Sequence, residues 1–147
     1  MTWGTGSRRD GGFTLVEMLA VLAITAVVSA VAFPAIEVAE KTVALQQTQA
    51  LLEADLRIAR GRALATGAPT RIAIGQAGGV YGWQGGPVRR LPDGMRLQAS
   101  DGGSPAFFPD GSARAGILAL STGGARKLTG VSETGVVYAV PAASARR

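Results

Sequence analysis

Glu17 is the one ionisable side chain in an apolar run that begins at Phe13 and reaches Ile36. A carboxylate in hydrocarbon-like surroundings costs several kcal/mol unless a cation meets it, so it asks for a partner and a use. The chemistry it offers is charge pairing, with the cation supplied from elsewhere. Just before it stands a short polar and basic stretch, Ser7-Arg8-Arg9-Asp10-Gly11-Gly12. Reaction chemistry has little to work with. Histidine and cysteine are both absent, which removes the commonest base, proton shuttle and metal ligand, and all thiol chemistry. Ser112 beside Asp110 and Ser104 near Asp101 lack a base, since Lys41 and Lys127 have no suggestive spacing. These serines and aspartates read instead as turn formers. Asp93, Asp101 and Asp110 are too scattered for a calcium ion, which takes six or more oxygens from a compact loop. The expectation is a protein that is not an enzyme and holds no metal or cofactor.

The apolar run is the first element that must position Glu17. About 24 helical residues rise roughly 36 Å, enough for a hydrocarbon layer of ~30 Å. Small residues (Ala20, Ala23, Ala26, Ser29, Ala30) permit close helix contacts. Pro34 removes a backbone donor, so a kink or loosening is expected there. Beyond it, Leu45, Leu52, Leu56, Ala59 and Ala63 recur at helical spacing as one apolar stripe. Glu37 with Lys41 and Glu53 with Arg57 add pairs four residues apart. Arg57, Arg60 and Arg62 suit a helix C-terminus, and Gly67 and Pro69 stop the helix. The spacing predicts one rod from Phe13 to about Ala65, on the order of 80 Å long.

From Pro69 the apolar period becomes two. Arg71–Ile74 and Val80–Trp83 read as a hairpin, followed by a loose segment from Gly85 to Asp93. Met95–Gln98, Ala106–Phe108, Gly116–Leu120, Arg126–Val131 and Val136–Val140 read as further strands. Asp93-Gly94, Asp110-Gly111 and Gly123-Gly124 supply turns. Tyr81 and Trp83 are expected on alternate faces, Trp83 in the core and Tyr81 available to a partner. Such short strands form one or two small antiparallel sheets on the helix stripe, an α+β fold. The expected organisation is a leader (1–12), a membrane and assembly helix (13–36), its amphipathic continuation (37–66), a β-rich domain (67–141) and a tail (142–147). The net charge is +5 and every cation but Lys41 and Lys127 is arginine. Arg8 and Arg9 before the apolar run favour a cytoplasmic N-terminus, with the β-rich domain across the inner membrane in the periplasm.

Gly11-Gly12-Phe13-Thr14-Leu15-Val16-Glu17 resembles the processing signal of type IV pilins and of the pseudopilins of type II secretion. The resemblance implies cleavage by a prepilin peptidase after Gly12, N-methylation of the new terminus Phe13, and an assembly role for Glu17. It also implies that Glu17 of one subunit meets the Phe13 amine of another, each charge lowering the desolvation cost of the other. An ordinary secretory signal, cut after Ala32 in Ala30-Val31-Ala32, is the competing reading, as is a plain membrane anchor.

Further along, Asp55–Ala63, Gly67-Ala68-Pro69-Thr70, Phe108-Pro109-Asp110-Gly111-Ser112-Ala113 and Gly116–Leu120 resemble the GspH/FimT family of minor pseudopilins and minor pilins. That family implies a long N-terminal helix bearing a β-rich domain. It also implies a structural role in the filament that helps export folded proteins across the outer membrane. The implied partners are other pseudopilins, the prepilin peptidase and the inner-membrane secretion platform. A minor pilin of a type IV or competence pilus is the alternative. There Arg89, Arg90, Arg126 and Lys127, with Arg146 and Arg147, would supply phosphate contacts. No stacking aromatics interleave with these cations, so a solvated basic surface is the plainer reading.

Overall fold

The computed structural model describes residues 14–100 and 103–141, the side chains at 31, 32 and 34–38 excepted. Helix α1 covers Leu15–Thr66 and its assignment continues through Pro34. The chain divides into two compact units between Val38 and Ala39.

In the first unit the described side chains from Leu15 to Val28 are solvent-exposed on every side of the helix. Among the described residues no helix is long and apolar enough to cross a membrane. The expected membrane-spanning first half is thus not met by that part alone. Leu15 to Ala30 rises only roughly 24 Å, short of the ~30 Å layer, and α1 beyond Ala39 is amphipathic. In sequence, the apolar run continues to Ile36.

The second unit is built on the expected stripe. Leu45, Leu52, Leu56, Ala59 and Ala63 are all buried, with Thr48 and Asp55 as buried polar neighbours. Full burial of each leucine is worth about 1.5–3 kcal/mol. The helix ends where Gly67 takes φ +65° and its N–H donates to Ala63 O at 3.1 Å, a left-handed cap that disfavours residues with a Cβ.

Nine strands follow among the described residues: β1 Thr70–Ile74, β2 Val80–Trp83, β3 Arg89–Arg90, β4 Met95–Ala99, β5 Ala106–Phe107, β6 Ala113–Arg114, β7 Gly116–Thr122, β8 Ala125–Val131 and β9 Val137–Val140. They make two antiparallel sheets, ordered β3-β2-β1-β5-β6 and β4-β7-β8-β9. The β1–β2 hairpin pairs Ile72 with Trp83 and Ile74 with Tyr81. Strand β3 lies in the segment expected to be loose, and β6 was not foreseen. Both are two residues long, too short to carry a period.

Both sheets feed one core against the stripe. Ile72, Tyr81, Trp83 and Phe107 come from the first sheet, and Leu97, Leu118, Leu120 and Val131 from the second. Tyr81 corrects an expectation. Residues two apart on a strand share a face, so Tyr81 and Trp83 are both buried, at 2% and 6% exposure, and Tyr81 is not a partner contact.

The sheets are stitched where Leu97 N–H donates to Gly78 O at 2.8 Å. Gly78 sits at φ +70°, and a Cβ there would lie 2.7 Å from Leu97 O, so the backbones approach this closely only with glycine.

Candidate functional site

Thr14 opens α1 as its N-cap. Its Oγ1 accepts the Glu17 N–H at 3.2 Å, and its carbonyl accepts the Met18 N–H at 3.2 Å. Thr-x-x-Glu at a helix start is the capping-box pattern, so the residue types that make the site also begin the helix. Glu17 therefore sits in the first turn, where the helix dipole favours a negative charge.

Around it the surface is apolar. Leu15, Val16, Leu19, Leu22, Ile24, Val27 and Val28 are each more than half exposed. The two remaining polar side chains in this stretch turn inward on their own helix. Thr25 Oγ1 donates to Val21 O at 2.7 Å, and Ser29 Oγ donates to Thr25 O at 2.8 Å. Their donors are thus satisfied without water, as an apolar medium requires. Among the described residues no cation faces Glu17. The arrangement can bury itself against lipid or other helices, provided that a positive charge from outside reaches one carboxylate. Gly12 and Phe13, the expected cleavage and methylation positions, lie outside the described residues, as do Arg146 and Arg147.

Among the described residues, Arg89, Arg90, Arg126 and Lys127 do not all meet at one site. Arg89 is engaged with the core: its Nε donates to Asp55 Oδ2 at 3.1 Å and its Nη2 to Asp55 Oδ1 at 3.3 Å. Tyr81 Oη donates to the same Oδ2 at 2.8 Å. Burial, then the bond to Asp55, pushes the Tyr81 phenol well above its ordinary value, and the bond to Asp55 raises Arg89 further. Arg90 is exposed and lines a hollow with Pro92 and Arg96, whereas Arg126 and Lys127 line another with Gln49 and Ala139.

Asp55 was missed by sequence reasoning. The available signal was a carboxylate inside the apolar stripe, three positions after Leu52. The Asp110-Gly111 turn is held by its own side chains. Asp110 Oδ1 accepts from Ser112 N at 2.9 Å and Ser112 Oγ at 2.6 Å, and the Ser112 contacts hold the carboxyl below its usual value.

Residues 7–33 match the family described as the prokaryotic N-terminal methylation motif. The match takes in Gly12, Phe13 and Glu17 and stops short of the β-rich unit. No curated protein and no solved structure matches the chain.

Proposed function

On the premise of a type IV pilin-like N-terminus, we propose that the chain is a minor pseudopilin, a structural subunit of the type II secretion pseudopilus, and not an enzyme. A prepilin peptidase cuts between Gly12 and Phe13, and Phe13 is then N-methylated. The apolar run Phe13–Ile36 anchors the subunit in the bacterial inner membrane, with the β-rich unit in the periplasm. In the filament, Glu17 of one subunit takes the Phe13 ammonium of its neighbour, and a one-residue slip strands both charges. Other pseudopilins, the peptidase and the inner-membrane platform are the partners.

The observation that carries this reading is the lone Glu17 in the capped first turn of α1, where the other exposed side chains from Leu15 to Val28 are apolar but for Thr25. The test is Glu17→Ala in the native host. The variant is cleaved as the parent is but drops out of the assembled filament. Undiminished incorporation refutes the assembly role. A DNA-binding minor pilin is the weaker reading, because Arg89 is committed to Asp55, and Arg90 and the Arg126–Lys127 pair line separate hollows.

A further inference from the structure

We propose that the outer edge of β9 accepts an extended acidic segment of a partner protein as an added strand. Each of the other sheet edges is short or occupied. Strands β3 and β6 are two residues long, and β4 is bound through Leu97 to Gly78. Among the described residues, strand β9 pairs with β8 alone. Its residues carry no Lys, Pro or bulge, the usual devices that blunt an edge.

The register says which groups are open. Ser132 N–H donates to Val136 O at 3.0 Å, and the same register pairs Gly130 with Tyr138 and Leu128 with Val140. Alternation along an antiparallel ladder then turns the N–H and C=O of Val137 and Ala139 away from β8. Val137 is half-buried and Ala139 exposed, so the edge can be reached.

Two hollows between α1 and β9 flank this edge. One of about 360 Å³ includes Arg60, Leu64 and Val137, and one of about 270 Å³ includes Arg126, Lys127 and Ala139. Arg57, at the first hollow, is offset by Glu53 at 3.3 Å. Arg60 is not offset. It donates to the carbonyls of Gly111 and Thr134, and among the described residues no carboxylate pairs with it, Arg126 or Lys127.

An open backbone edge with cations at both ends suits an acidic strand, with backbone bonds giving affinity and side-chain charge giving choice. The same charges disfavour two other occupants. Residues 142–147 end in Arg146-Arg147, and a second copy would set its own Arg126 and Lys127 against these. The inference does not depend on the filament reading, since it concerns the β-rich unit alone.

The test titrates the full chain in detergent with a short synthetic peptide of alternating glutamate and valine, and with its lysine counterpart. The glutamate peptide binds, slows amide exchange at Val137 and Ala139, and binds at least about tenfold more tightly than the lysine peptide. Ala139→Pro removes one outward N–H at a position where an edge strand tolerates proline and weakens binding about tenfold. Arg126→Glu with Lys127→Glu reverses the preference, and carries the test should the proline variant fail to fold. Equal binding of the two peptides, no binding of either, binding unchanged in a folded Ala139→Pro variant, or dimers that this variant abolishes would each overturn the proposal.

Discussion

The Tyr81 hydroxyl donates to Asp55 Oδ2 at 2.8 Å, tying β2 to α1 through a bond buried in the core. Arg89 closes on the same carboxylate from β3. One acidic side chain in the apolar stripe of α1 thus fixes two strands, and the charge it brings into the core is answered there.

Tyr81→Phe leaves Asp55 short of one donor in a place water does not reach. The expected cost is about 1–3 kcal/mol, read as a lower denaturant midpoint in chemical unfolding. Arg89→Ala lowers the midpoint more than Arg90→Ala does, because Arg89 alone of the two meets Asp55. Equal midpoints for these two variants contradict the role given to Asp55.

The raised Tyr81 phenol links stability to alkaline pH. The folded chain holds this proton more tightly than the unfolded chain, whose tyrosines ionise near the ordinary value of 10.0. Tyr81 therefore contributes stability that is fully present below pH 10, and it is lost as pH rises above that value. Phenolate absorbance should show one tyrosine resisting ionisation until the chain unfolds, and Tyr81→Phe should remove that phase.

Phe107 is fully buried, whereas Ile58 on α1 is 57% exposed. Phe107→Ala should cost about 3–5 kcal/mol and Ile58→Ala well under 1 kcal/mol in thermal or chemical unfolding.

Two glycines should respond oppositely to alanine. Gly61 lies in α1 with nothing near its missing Cβ, so Gly61→Ala should stabilise by up to about 1 kcal/mol. At Gly78 the new Cβ meets Leu97 O, so Gly78→Ala should lower the melting temperature and speed amide exchange at Leu97.

The long-period features were legible in the residues. Leu45 to Ala63 repeat over several turns, and every member of that stripe is buried. The β1–β2 hairpin was legible because alternating apolar residues flank a glycine-rich turn. Strands β3 and β6 were not, since two residues have no period and are held by their neighbours. Asp55 was hidden for a related reason: its partners stand 26 and 34 positions away, and nothing local marks a carboxylate that strands will later answer. At the N-terminal site the residue types were legible together with their spacing. Among the described residues no cation faces Glu17; in the proposed filament a neighbouring subunit supplies one.

In the proposed filament, processing creates that cation at Phe13. The most direct measurement is the intact mass of the mature protein isolated from its native host. The expected mass is that of a chain that begins at Phe13 and carries one added methyl group. A chain that retains Met1, or one that begins at Phe33, would contradict it.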